Sequence, residues 1–280
     1  MADGSALADI DETDVKPVKA RAKAAPRSAR KMRKFKVDFW ATDLNLAEIG
    51  IMKRTQNEAA SDQFTKDMEI YGQTVVDKER TALLAYRQEL WDANADFERR
   101  LVIKLFSERL HWRGTAEMML GRSMQLTLGA GGMSVPAFSI NLGRHEQLIQ
   151  LERSAHKLPF LPESYSFFIQ TKSGPKLYRL KRNVFCLGKD YSLIDQQGRK
   201  IGKLDGRVVN LGGAWIVKLD PAYANAKLEA VLQLFCAILK FNGSARRHVR
   251  RLGKQVRLGK LRPEIDHHED DLYLNPRRRR

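Results

Sequence analysis

Residues 129–132 read Gly-Ala-Gly-Gly, a turn of the kind that cradles a phosphate on its backbone N–H groups. No Gly-Lys-Ser or Gly-Lys-Thr follows, and the flanks make no clear strand-to-helix unit, so nucleotide chemistry is not expected there. His267 and His268 precede Glu269, Asp270 and Asp271, all of them metal-ligating types. They stand in a polar tail with no partner cluster, and the expected reading is a solvated acidic segment that shields the arginines before it. Asp190, Asp195, Asp205 and Asp220 recur as paired acid–base carboxylates would. Each stands at an expected turn or helix start, where aspartate bonds the local backbone. His111, His145 and His156 have no serine or cysteine in a nucleophile motif to act upon. Cys186 and Cys236 are isolated in apolar sequence, as buried thiols of a reducing compartment are. Trp40, Trp91, Trp112 and Trp215 are scattered and are expected in cores or interfaces. No catalytic set, cofactor or metal is therefore expected, and the chain reads as a binding or assembly protein.

Charge gives the stronger functional signal. The 280 residues carry 50 lysines and arginines against 33 acids, a net charge of +17, but the excess is not spread evenly. Residues 15–37 hold ten cations, among them Arg27, Arg30, Lys31, Arg33, Lys34 and Lys36, and no acid. Residues 246–262 hold eight, among them Arg246, Arg247, Arg250, Arg251, Lys254 and Arg257, again with no acid, and Arg277 to Arg280 add four. The body from Asp38 to Ala245 is only +5. Two basic arms flanking a nearly balanced core seek a polyanion, or else are solvated tails. The first, residues 1–37, is expected to be disordered, acidic and then basic. The second, within a basic tail of residues 246–280, has Val249, Leu252, Val256 and Leu261 near helical spacing. The acidic N-terminus lacks the features of a secretory signal, and the longest apolar run, Val231 to Leu239, is far short of the roughly 20 residues that span a bilayer.

The elements that must carry these arms follow from periodicity. Thr42 precedes Leu44, Leu46, Ile49 and Met52, which predicts a helix running toward Tyr71. Leu83, Tyr86, Leu90, Phe97, Leu101 and Leu105 step by three, four or multiples of that spacing, which predicts a long amphipathic helix over residues 77–110. The two pack as a helical hairpin in residues 38–114, or the second stripe assembles two copies of the chain.

Beyond Gly114 the period changes. Weak strands are predicted at Met124–Leu128, Phe138–Leu142 and Gln147–Leu151. A meander follows: Tyr165–Thr171, Lys176–Leu180, Asn183–Leu187, Tyr191–Ile194, Lys200–Leu204, Arg207–Leu211 and Ala214–Leu219, separated by turn-forming residues. After Asp220 and Pro221, the residues Leu228, Val231, Leu232, Leu234, Phe235, Ala237, Ile238 and Leu239 face nearly every direction of a helix. Such a helix must be buried on most sides, and an antiparallel sheet curled around it would satisfy both elements. The fold class expected is α+β: an N-terminal helical hairpin, then an antiparallel barrel-like domain over residues 115–245 that encloses a hydrophobic helix.

The segment Asp190-Tyr-Ser-Leu-Ile-Asp-Gln-Gln-Gly-Arg-Lys-Ile-Gly-Lys-Leu204, followed by short strands and the apolar helix Leu228 to Leu239, resembles the tubby C-terminal-like group. That group includes phospholipid scramblases and LURP-one-related proteins. The resemblance spans about residues 165–241 and implies a closed antiparallel barrel around a central hydrophobic helix. It also implies a non-catalytic scaffold that binds anionic lipid headgroups or other proteins. No acidic calcium-binding segment accompanies it, so scrambling activity is not carried over. The expected partner is an anionic lipid surface or a protein complex, met in the cytoplasm or at the periphery of a membrane. The alternatives are a nucleic acid held through its phosphates, and a structural subunit assembling through the 77–110 stripe.

Overall fold

The computed structural model describes residues 31–39, 61–92, 97–145, 147–154, 162–184, 189–207 and 213–262. Alternation of buried and outward side chains begins at β1 (Arg33–Phe39), where Phe35, Val37 and Phe39 are buried while Arg33, Lys34 and Lys36 are not. The chain then builds β2 (Met68–Val76), β3 (Glu79–Arg87), β4 (Val102–Ser107) and β5 (Trp112–Met118). Next come β6 (Ala137–Leu142), β7 (Gln147–Arg153), β8 (Ser164–Thr171) and β9 (Gly174–Arg182). The last are β10 (Tyr191–Asp195), β11 (Lys200–Arg207) and β12 (Ala214–Leu219). Each strand pairs antiparallel with its neighbours in sequence, and β1 returns to pair with β12, from Arg33↔Leu219 to Asp38↔Ala214. The result is a closed barrel of twelve strands, and closure removes every free edge.

Among the described residues three α-helices accompany the barrel: α1 (Gln88–Asp92), α2 (Leu120–Gly129) and α3 (Ala226–Arg257). A six-residue turn after β12 leads into α3, whose first amides are capped by the side chain of Asn225, accepting from Leu228 N at 2.9 Å. The helix runs down through the barrel, from the upper rim where β12 ends to the lower rim between β7 and β8. Phe235 meets Tyr165 of β8 and Tyr191 of β10 at ring distances of 5.1 and 5.4 Å. Leu234 lies over Gly114 of β5, and Phe241 packs on Tyr71 of β2 at 5.3 Å. Contacts on opposite walls explain why Val231 to Leu239 is buried without a break. By length and composition α3 would suffice to cross a bilayer, but here its apolar residues fill the barrel core.

The predicted helix over residues 77–110 is corrected by β3, α1 and β4. Leu83 and Tyr86 lie on β3, Leu90 on α1, Phe97 in the connection, Leu101 just before β4 and Leu105 on it. The cause is a second apolar layer outside the barrel. Met68, Ile70, Leu83, Ala85, Phe106 and Leu110 point outward and are covered with Phe64, while Leu84, Ile103 and Leu105 point into the main core. Strands buried on both faces lose the two-residue alternation, and Ala82 to Ala85 reads as a continuous apolar run. Leu83, Leu101 and Leu105 are buried within the fold, and Tyr86, Leu90 and Phe97 are half-buried, so the six residues do not form one helical stripe. The first helix of the predicted hairpin falls largely on residues outside the described ones; residues 61–67 form turns and residues 68–71 begin β2.

Two further expectations change. Met124–Leu128 is not a strand but the middle of α2. Arg33 to Val37, placed in the N-terminal arm, are the first barrel strand, because Phe35 and Val37 close the core against β12 and β2. The meander itself appears as β8 to β12, with Lys200–Leu204 extending to Arg207. Residue 183 follows β9 rather than opening a strand, and residues 185–188 and 208–212 lie outside the described ones.

Candidate anion-binding ridge on the outer half of α3

The position of α3 is set at the lower rim by a buried polar lock. Glu163 and Arg153 form an ion pair at 2.9 Å with both side chains 7% exposed. The Glu163 carboxylate also accepts from the Tyr165 hydroxyl at 2.9 Å, the Tyr191 hydroxyl at 3.3 Å and Asn242 Nδ2 of α3 at 3.3 Å. Arg153 donates in turn to the Ser134 carbonyl at 2.7 Å, and the Ser134 hydroxyl donates to the Arg246 carbonyl of α3 at 2.9 Å. Burial pushes the Glu163 carboxyl upward, but the charge of Arg153 and the hydrogen bonds outweigh it and hold the group below its ordinary value. Burial raises Tyr165 and Tyr191 well above the usual phenol range, with the charge of Glu163 adding to it.

Below this lock α3 changes character. Lys240 is its first exposed cation after the apolar run, with its ammonium 6.0 Å from the centre of the Phe39 ring. From there one stripe is buried, formed by Ala245, His248, Val249 and Leu252, with Val256 half-buried. It packs against α2 and Trp91, whose ring lies 6.4 Å from that of His248. The opposite stripe carries Arg247, Arg250, Arg251, Lys254 and Arg257, all exposed, at intervals of three and four residues. Arg247 and Arg257 lie about 15 Å apart along the axis at 1.5 Å per residue. Lys254 and Arg257 also occupy the last turn, where the helix dipole favours cations.

The end of the ridge is fixed by a C-cap. Gly259 has φ +66, its N–H donates to the Val256 carbonyl at 3.0 Å, and the Lys260 N–H donates to the Gln255 carbonyl at 3.0 Å. The glycine run 129–132 has the same task for α2: the Gly132 N–H donates to the Thr127 carbonyl at 2.8 Å, closing the helix rather than holding a phosphate. A side chain at Gly132 would also collide with the Arg257 guanidinium, 1.7 Å from where its Cβ would stand.

The structure gathers some of the predicted cations and separates others. Arg246 is half-buried and turns aside, tied by its carbonyl to Ser134. Arg33 pairs with Glu229 at 3.2 Å near the upper rim, and Lys36 pairs with Asp38 at 2.6 Å. Lys34 faces outward directly opposite Lys218 on the barrel wall. Lys31 is exposed just before β1, and Arg27 and Arg30 lie outside the described residues. The cations of β1 thus belong to the barrel, while the ridge lies beyond its lower rim.

Two of the recurring aspartates, Asp195 and Asp220, take up local bonds. Asp195 accepts from the backbone of Gln197 and Arg199 and Asp220 from Ala222, whereas Asp190 bonds across to β11, accepting from the Gly206 N–H and pairing with Lys203 at 2.8 Å. Asp205 differs from its expected turn position, lying within β11 with Lys203 at 3.8 Å. The Glu163 lock was not legible in the sequence, because Arg153, Glu163 and Asn242 meet only once the barrel closes around α3.

No family model, no curated protein and no solved structure matches this chain.

Proposed function

We propose that this chain is a non-catalytic anchoring protein whose closed barrel holds α3 so that its outer ridge docks on an anionic membrane surface. The observation that carries this reading is the exposed stripe Arg247, Arg250, Arg251, Lys254 and Arg257, with no acid between residues 246 and 262. A straight helix presents its cations along one line, which suits a flat array of phosphates and carboxylates, and each cation near such a surface contributes about 1 kcal/mol. Leu258, 57% exposed at the end of the ridge, adds an apolar contact at the headgroup level. Kinship with the tubby C-terminal-like group belongs to the same proposal and is supported by the order of a strand meander followed by a helix apolar on all sides. The protein would act in the cytoplasm, peripheral to the membrane.

The test is sedimentation of the full chain with vesicles rich in phosphatidylserine and with neutral vesicles, at several salt concentrations. Binding to the anionic vesicles alone, weakening with salt and reduced in an Arg247→Ala, Arg250→Ala, Lys254→Ala triple variant, supports the reading. Indifference to anionic vesicles at low salt sinks it. Tight, ridge-dependent binding to duplex DNA or RNA with no vesicle binding replaces the membrane with a nucleic acid as partner.

A further inference from the structure

A second cationic feature lies at the opposite end of the barrel and owes nothing to α3. An open cleft of about 720 Å³ is lined by Ser61, Thr81, Ser107, Arg109, His111, Trp112 and Arg113, with Glu108 beside them. Its size falls within the range of small-molecule sites. Its outline is set by the β4–β5 hairpin, which is held rigidly. The Ser107 N–H donates to the His111 carbonyl at 2.8 Å, and the Leu110 N–H donates to the Ser107 carbonyl at 3.0 Å. Leu110 takes the left-handed conformation, φ +57, which a branched apolar residue adopts at a cost. The strain is retained because the Leu110 side chain is buried in the outer apolar layer. With Leu110 held in that layer, the neighbouring Arg109 and His111 are exposed at the cleft.

The polar groups are biased toward an anion. Glu108, the only acid among the described lining residues, is engaged by the Arg80 guanidinium at 3.4 Å. Arg109 makes no ion pair with any described residue, and the imidazole of His111 is also exposed in the lining. The Ser107 hydroxyl accepts the backbone N–H of His111 at 3.1 Å and keeps its own proton to donate. Trp112 forms the apolar side of the lining; its indole N–H is held by the Thr115 hydroxyl at 3.0 Å, and its ring packs on the backbone at Gly143.

We infer that this cleft binds a small, soluble phosphomonoester carrying a flat apolar group, with the phosphate at Arg109, His111 and Ser107 and the flat group against Trp112. A phosphomonoester rather than a carboxylate is assigned because its three terminal oxygens can use a guanidinium, an imidazole and a hydroxyl at once. The site is independent of the ridge.

The test is calorimetric titration of the full chain with adenosine 5′-monophosphate, inorganic phosphate and adenosine. Saturable binding of the monophosphate is expected, with adenosine at least roughly tenfold weaker because it lacks the charge-assisted bonds. Arg109→Ala, an exposed position, should weaken the monophosphate roughly tenfold or more. Trp112→Phe should weaken it roughly threefold and leave inorganic phosphate unchanged. Arg250→Ala on the ridge should change nothing. The inference is overturned by failure of both phosphates to saturate, by an Arg109→Ala variant that binds like the parent, or by equal loss in Arg250→Ala. It is also overturned if Arg109→Ala abolishes vesicle binding while no soluble phosphate binds, since the phosphate would then be a lipid headgroup.

Discussion

The two halves of α3 are one helix in two settings. From Val231 to Leu239 the side chains meet strands on opposite walls of the barrel and are buried all round; from Ala245 to Arg257 they meet α2 and Trp91 on one side and solvent on the other. The inner half has no surface with which to recognise anything, and the outer half has cations on a full stripe. What surrounds a helix, rather than its length or its caps, decides whether its residues stabilise or recognise. The Glu163 lock marks the boundary, because Asn242 and the Arg246 carbonyl bind the rim where enclosure ends.

Substitutions along the helix should separate the two roles. The largest effect is expected from Phe235→Ala, which removes a fully buried ring from between Tyr165 and Tyr191 and should cost about 3–5 kcal/mol in urea unfolding. An equal loss from any single ridge cation would break the comparison. Next comes Glu163→Gln at the boundary, costing about 3 kcal/mol because Arg153 is left buried without its counter-charge. The folded-state pKa of Glu163 lies below its ordinary 4.5. Its contribution is therefore present above the unfolded value and is lost as pH falls through the folded one. The parent should lose stability on acidification below about pH 4.5 more steeply than the glutamine variant, as read from urea midpoints across pH.

Smaller effects belong to the outer half. Gly259→Ala places a Cβ at φ +66 and should cost about 1 kcal/mol, seen as a lowered melting temperature. The Arg250→Ala, Lys254→Ala pair should alter stability by less than about 0.5 kcal/mol, since neither side chain is buried. The same pair should weaken binding to anionic vesicles by about 2 kcal/mol, roughly thirtyfold, which sedimentation would detect.

The sequence made α3 legible because Val231 to Leu239 has no polar face, and β8 to β12 because glycine and aspartate punctuate short apolar segments. The strands β2 to β4 were hidden by the same physics. Leu83 and Leu84 face opposite layers, so burial on both sides erased the alternation and left spacings that fit a helix. Lys34 and Lys36 read as arm residues because a lysine-rich strand differs from a lysine-rich tail only in the apolar residues at alternate positions, here Phe35, Val37 and Phe39. The ridge was half legible: Val249, Leu252 and Val256 foretold an amphipathic helix, but nothing local showed that Arg246 would turn away to the rim. The residues assigned to the ligand at the Trp112 cleft, Ser107, Arg109, His111 and Trp112, are neighbours in the sequence; what the sequence does not show is that Ser61 and Thr81 complete the lining.

The division within α3 is tested most directly by hydrogen exchange on the full chain, with and without anionic vesicles. Amides of residues 228–239 should exchange slowest in both conditions. Those of residues 246–257 should exchange faster in the free protein and slow markedly with vesicles at low salt. Equal protection of the two halves without vesicles, and no change on adding them, would contradict the account.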